Sequence, residues 1–179
     1  IIQVKPSVIM KNLFAKEETV KATLSPHSAV FHTETTTFTT RFIKGKFPDY
    51  NRVIPASNPF VLTVDRNSLL TAVRRVSVCS DPSHGLVKFR LTPNKIEMKV
   101  DDPNVGSFAY EEMPCDFSGD ELTIGFSAPH LMEILNTLST DNIIIRLADK
   151  SRAGVFTPDV NDDDTDLTMV LTPITFQDF

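Results

Sequence analysis

The densest group of ligand-type side chains in the sequence is "DVNDDDTD", Asp159 to Asp166. Carboxylates packed this closely are what a calcium loop uses, but such a loop needs a turn-forming Gly at its sixth position and a bidentate Glu at its twelfth. Counted from Asp159, those positions hold Asp164 and Val170, so the run reads as a solvated acidic hairpin. Nucleophile chemistry fares no better. Ser80, Asp81 and His84 crowd into one turn, which is too close to form a triad by spacing alone, and His27, His32 and His130 are scattered. Cys79 and Cys115 are isolated thiols without CxxC spacing, and read as small buried or half-buried residues rather than as a zinc site or a disulfide framework. With six glycines in the whole chain there is no Gly-rich phosphate loop. Catalysis, a metal and a cofactor are therefore not expected.

Two other groups of residues suggest recognition instead. The segment "RFIKGKFPDYNRVIP", Arg41 to Pro55, sets Phe47, Tyr50 and Val53 among basic residues, although a loop that only connects is usually polar. The second group is basic. Lys11, Lys16, Arg74 and Arg75 fall on the outward faces of helices whose apolar positions recur at i, i+3 and i+4, and Glu133 is the only acid on those faces. Nearly all of the 23 acidic residues lie in strands, turns and helix entries. A net charge of −5 thus hides an electropositive helical lining suited to a polyanion.

The elements that must position these residues come as three variations on strand, helix and three strands. The first copy is "IIQV", "KPSVIMKNLFAKE", then "TVKATLS", "SAVFHT" and "TTTFTTRFI". The second is "FVLTV", "DRNSLLTAVRRVSV", then "LVKFRLT", "KIEMKVD" and "VGSFAYEEM"; the third is "LTIGFS", "APHLMEILNTLST", then "NIIIRLA", "AGVFT" and "LTMVLTPI". Pro6 and Ser7, Asp65 and Ser68, and Ser127 and Pro129 mark the helix starts. The fold class expected is α+β, with antiparallel sheets outside and helices lining one face. One unit cannot cover both its helix face and its sheet face, so units should pair. Copies two and three make a complete domain. Copy one has no mate, which leaves Ile9, Met10, Leu13 and Phe14 of its helix uncovered. Either the chain is a fragment or two chains pair their orphan units. The segment Arg41 to Pro55 then joins the orphan unit to the complete domain, the kind of junction where ligand grooves form.

With 41% hydrophobic and 23% charged residues the composition is that of a soluble globular protein. No apolar run approaches the roughly 18 residues of a membrane span, and "IIQVKPSVIM" lacks the pattern of a signal peptide, so a cytoplasmic protein without membrane contact is expected.

The repeated unit, "GKFPDYNRVIP", "LTIGFSAPHLMEIL" ahead of a "SRAG" strand, and a strand ending in "LTPI" together resemble the bacterial DNA polymerase III beta subunit family, the sliding clamps. The resemblance covers the whole chain and corresponds to the C-terminal half of such a subunit. It implies residues 1–56 as the second half of the clamp middle domain plus linker, and 57–179 as the complete C-terminal domain. Further, it implies a non-catalytic subunit of a DNA polymerase holoenzyme, a homodimeric ring that encircles duplex DNA without reading sequence and tethers the replicative polymerase. Lys11, Arg74 and Arg75, with Lys16, would face the DNA. A pocket at the junction would take peptides of the replicative polymerase, the clamp loader, and other polymerases and repair proteins. Its positions here are Pro48, Arg52, Val53, Arg152, Gly154, Val170, Leu171, Thr172, Pro173 and Ile174, with Phe47 and Tyr50 pinning the linker. Val78 and Cys79 would meet the neighbouring subunit's first domain. The chain departs from the pattern at Thr172, where the family commonly has Met, and in the trailing "TFQDF". These imply a shallower or partly covered pocket, part of which belongs to a half-domain this chain lacks; without the first domain the chain cannot close the usual ring. The competing reading is a repeat-built protein-interaction scaffold that never touches nucleic acid.

Overall fold

The computed structural model describes residues 1–81, 85–161, 166–177 and 179, which form two compact units, Ile1–Asp49 and Tyr50–Phe179. The first unit holds α1 (Val4–Leu13) and an antiparallel meander of β1 (Lys21–Leu24), β2 (Ser28–His32) and β3 (Thr37–Arg41) in that order. Its interior is thin: Ala29 and Thr40 are the buried residues among those described. No residue of α1 is buried, and Ile9 and Leu13 are 42% and 45% exposed, so the expected core face of this helix lies open.

The second unit contains β4 (Phe60–Asp65), α2 (Arg66–Ser77), β5 (Leu86–Thr92), β6 (Lys95–Asp102), β7 (Ser107–Pro114), β8 (Asp116–Phe117), β9 (Leu122–Ser127), α3 (Ala128–Thr137), β10 (Asn142–Leu147), β11 (Gly154–Pro158) and β12 (Met169–Leu171). The strands form two sheets, ordered β12-β11-β10-β4-β8 and β7-β6-β5-β9. Each repeat has therefore lent its leading strand to the other. β4 of the second copy pairs with β10 of the third, and β9 of the third pairs with β5 of the second, both antiparallel. Strict alternation on β5 and β6 turns Val87, Phe89, Leu91, Ile96, Met98 and Val100 inward. There they meet Leu69, Leu70, Val73 and Val76 of α2 and Leu131 and Leu135 of α3 in one core. Phe89, Phe126 and Phe156 stack edge-on through its centre, with ring centroids 6.0 and 5.9 Å apart.

Strand exchange explains the main departure from the sequence expectation. "IIQV" is not a strand: residues 1–3 are irregular and Val4 already belongs to α1. A leading strand of this repeat needs the sheet of a companion repeat; here the segment is tied to the first unit by the Ile43 N–H, which donates to the Ile1 carbonyl at 2.9 Å, and not by a strand ladder. The helix also starts earlier than Pro6 and Ser7 suggest. Gln3 is its N-cap, Pro6 sits in the first turn where its missing N–H costs nothing, and the Ser7 hydroxyl bonds back to the Gln3 carbonyl at 3.0 Å. In contrast, Asp65 caps α2 as expected, accepting from the Ser68 N–H at 2.7 Å, and that bond holds its carboxyl below the usual range. Ser127 precedes α3 without a side-chain cap; Pro129 supplies the start signal there. The far end of α3 is closed by Arg66, whose Nη1 donates to the Leu135 carbonyl at 3.0 Å and whose Nε donates to that of Thr140 at 2.8 Å. "LTMVLTPI" shrinks to the three residues of β12, because Pro173 has no N–H for the ladder and the Ile174 N–H bonds instead to the Gly125 carbonyl at 2.8 Å.

Candidate functional site

α2 buries Leu69, Leu70, Ala72, Val73 and Val76, which leaves Arg74 and Arg75 exposed on its far flank. The two are not equivalent. Glu111, opposite Met98 in the β6–β7 register and hence on the helix side of the sheet, takes a hydrogen bond from Arg75 Nε at 3.0 Å and a second, shorter one from Nη2. This pairing raises the Arg75 pKa further and spends its charge locally. Arg74 makes no ion pair among the described residues and is the freer cation. In the first unit Lys11 and Lys16 are both exposed. Lys16 lines an open groove with Glu17, Glu18, Lys21 and Glu34, so the local charge there is mixed.

Of the predicted pocket residues in the second unit, Arg152, Gly154 and Val170 to Ile174 lie at or beside β11 and the edge strand β12, while Arg52 and Val53 lie in the turn before β4. Tyr50–Arg52 form a single 3-10 turn, closed by the Val53 N–H on the Tyr50 carbonyl at 2.9 Å. Phe47 and Tyr50 do not pin this stretch by burial, since they are 65% and 61% exposed; Val53 is open too. The anchors are polar and lie farther on. Asn58 Nδ2 donates to the carbonyls of Arg146 and Ala153, both at 2.9 Å. Arg152 Nη1 donates to the Ser57 carbonyl at 3.0 Å, with its Nε 3.8 Å from Asp149. Asp149 in turn accepts from the Ser151 hydroxyl at 2.6 Å and from the N–H groups of Ser151 and Arg152 at 2.8 Å each, and these bonds hold its carboxyl down at about 2. Arg152 is thus a strut for the turn as much as a free recognition group.

Gly154 faces Leu171 across the β11–β12 pair. A Cβ here would stand 3.1 Å from Leu147 Cδ2 and 3.2 Å from Phe156 Cε2, so the wall at this point is backbone. Val170 and Leu171 are half-buried, Thr172 is exposed, Pro173 is buried and Ile174 is half-buried. Pro173 is therefore a support beneath the wall rather than part of its surface. Val170 and Leu171 form one side of a groove of about 300 Å³ whose other side is α3, through His130, Glu133, Ile134 and Thr137. Sequence reading missed these four, although their i, i+3, i+4, i+7 spacing marks one helical face, the one opposite core residues Leu131 and Leu135. Pro48 belongs to the first unit.

Val78 is the C-cap of α2 and 83% exposed; Cys79 is half-buried, its carbonyl accepting from the Ser107 hydroxyl at 2.9 Å. That bond ties them to the start of edge strand β7, where Val105 and Phe108 are also open. Cys115 is half-buried, and burial pushes its thiol up to about 11, far from a reactive thiolate. His84 and residues 162–165 of the acidic run lie outside the described residues; among those described, no His, Cys, Asp and Glu cluster could hold a metal ion. No described helix is long and apolar enough to cross a membrane.

The family model for the DNA polymerase III beta subunit, C-terminal domain, matches residues 51–172. The chain belongs to this family. Beta sliding clamps from Pseudomonas putida and Caulobacter vibrioides are 28% and 34% identical over 153 and 132 residues, covering 86% and 74% of the chain but 41% and 35% of their own length. Among solved structures, the DNA polymerase sliding clamp from Pseudomonas aeruginosa superposes with a TM-score of 0.88 at 25% identity, covering 98% of this chain and 47% of that one. The Caulobacter crescentus pol III beta structure gives 0.88 at 29% identity, covering 98% and 46%. The chain thus spans less than half the length of these beta-subunit relatives, and its exchanged two-sheet domain is the α+β clamp fold. The family match stops at residue 172, so the "TFQDF" tail falls beyond it.

Proposed function

We propose that the chain is the C-terminal half of a DNA polymerase processivity factor, a cytoplasmic sliding clamp that encircles duplex DNA and has no catalytic activity of its own. On this reading residues 1–56 complete a middle domain, 57–179 form the C-terminal domain, and the full-length protein closes a homodimeric ring. The observation that carries it is the division of α2, which gives its apolar face to two sheets and turns Arg74 outward within a segment matched by the beta-subunit family. A clamp must hold phosphate weakly and without sequence preference, and exposed cations on rigid helices do that. Arg74 and Lys11 are the principal DNA-facing groups; Arg75, engaged by Glu111, and Lys16, beside acids, contribute less. Partner peptides from the replicative polymerase, the clamp loader and other polymerases or repair proteins dock against Arg52, Val53, Arg152, Gly154 and the Val170–Ile174 run. Support comes from the half-open groove that Val170 and Leu171 share with α3; the other positions, Pro48 among them, are included on the resemblance alone. Val78 and Cys79, beside the β7 edge, meet the neighbouring subunit.

Salt-dependent association of the full-length ring with duplex DNA tests the reading. With two subunits in the ring, Arg74→Ala removes two cations and should lower the log–log salt slope by up to about 2, and Arg75→Ala by clearly less. A ring that closes but shows no salt-dependent association is a scaffold, and the DNA assignment then fails. For the pocket, fluorescence anisotropy of a labelled peptide carrying Gln and a Leu-Phe pair should saturate, and the Arg52→Ala, Pro173→Ala double variant should weaken it.

A further inference from the structure

Past β12 the chain crosses from the five-stranded sheet to the outer face of the four-stranded one. Gly125, on edge strand β9, makes the crossing possible: a Cβ there would come within 2.7 Å of the Ile174 carbonyl oxygen and 2.9 Å of Phe176 Cδ1. The Ile174 N–H is bonded to the Gly125 carbonyl. Farther along, a row of cations on the outward side of β5 and β6 receives two aromatic rings. Lys88 Nζ lies 5.5 Å from the Phe176 centroid and the Arg90 guanidinium 4.2 Å from that of Phe179. Lys99 Nζ donates to the Phe179 main-chain oxygen at 3.3 Å. The contacts come from three cations on two strands and converge on one short segment outside the family match.

We propose that Ile174, Phe176 and Phe179 form a latch that fixes the backbone of Thr172 to Ile174 from behind, and through it the end of β12, whose Val170 and Leu171 line the groove, without touching the peptide. The groove's role rests on the function proposed above; the latch does not. Thr172 and Ile174 have no ladder of their own, since β12 ends at Leu171 and Pro173 lacks an N–H. Their position is determined by the bonds on either side, and on the C-terminal side those bonds are the latch. The latch is also reversible by design of its contacts. Each ring–cation contact is weak at a partly exposed site. Beneath Phe179, Arg90 Nε is buried with no hydrogen bond, 3.6 Å from Glu121, so lifting the ring returns an N–H to water. Closing gains ring–cation attraction and loses hydration.

The test is amide hydrogen exchange of the 179-residue chain, read beside its thermal melt and its affinity for the labelled Gln-and-Leu-Phe peptide. Phe179→Ala should speed exchange of the Ile174 amide by about two- to fivefold, the factor one ring–cation contact represents, and weaken the peptide by a similar factor at an unchanged melting midpoint. Phe179→Tyr should restore both, and Arg90→Gln should reproduce the loss where Arg90→Lys does not. Unchanged exchange at Ile174 overturns the latch. Faster exchange with undiminished peptide affinity overturns its control of the groove. If exchange accelerates while the parent chain binds no peptide at all, the latch stands and the peptide-groove reading falls.

Discussion

Asn58 offers the sharpest test of how the site is held. Its side-chain nitrogen bridges two main-chain carbonyls, Arg146 at the end of β10 and Ala153 just before β11, at 2.9 Å each. The amide orientation follows from its partners, because only Nδ2 can serve two acceptors. Replacing Asn58 by Ala removes both bonds and strands two carbonyls at a partly buried strand end. The Asn58 Oδ1 is itself buried without a hydrogen bond, so its removal returns about 1 kcal/mol against roughly 2 kcal/mol for the two bonds, which leaves a net loss of about 1 kcal/mol and a fall in melting temperature of roughly 3–5 °C for a domain of this size. Asn58→Asp is the more telling variant. It keeps the volume but sets a carboxylate against two carbonyl oxygens, so at neutral pH it should be worse than Ala. As pH falls and the introduced group takes up a proton it can donate one bond, and the order should narrow or reverse. Urea unfolding at pH 7 and pH 4, read by far-UV circular dichroism, measures both. If Asn58→Ala loses less than about 0.5 kcal/mol, or Asn58→Asp is no worse than Ala at pH 7, the bridge does not hold this turn.

Removing the α2 cap with Asp65→Ala should cost about 1 kcal/mol in the same assay, and Asp65→Asn much less, since Asn accepts the Ser68 N–H equally well. Asp149, held down at about 2 against an ordinary 3.8, stabilises the fold above the unfolded value and loses that contribution as pH drops from about 4 towards 2. The gap between parent and Asp149→Ala should accordingly be full at pH 6 and close on acidification; a gap that stays constant refutes the assignment. Gly154→Ala should destabilise by about 1 kcal/mol or more, because the added methyl crowds Leu147, Phe156 and Phe126 at 3.1 to 3.4 Å; a neutral or stabilising result would mean the β11 wall is loosely packed.

Legibility followed how local each signal was. β5 and β9 match the stretches "LVKFRLT" and "LTIGFS" residue for residue, because alternation and turn residues are read within a few positions. The Asp65 cap and the core stripes of α2 and α3 were legible for the same reason. What escaped depends on partners distant in sequence. "IIQV" has strand character, but whether it becomes a strand is decided by a sheet it must borrow. β8 hides in the "PCDFSGD" connection because two residues become a strand only when β4 is beside them. In the groove, Val170 and Leu171 are residues the resemblance already singles out, whereas the facing residues of α3 lie outside the buried stripe that periodicity marks. Arg74 and Arg75 looked alike until Glu111, 36 residues away from Arg75, distinguished them.

The exchanged leading strands carry a cost in time. β4 pairs with β10 from Asp65↔Asn142 to Phe60↔Leu147, separations of 77 and 87 residues. At a synthesis rate of about 5–20 residues per second, "FVLTV" is made roughly 4 to 17 seconds before its central partner exists. During that interval the edge of this apolar, β-prone strand that β10 will cover stays bare, and its other edge meets only the two residues of β8 once they are made, a wait longer than elementary helix and hairpin formation requires by several orders of magnitude. Newly made chains of this kind are therefore clients for whatever shields nascent strands at the ribosome. A pause placed before residue 142 would lower the yield of folded protein more than the same pause placed after residue 147.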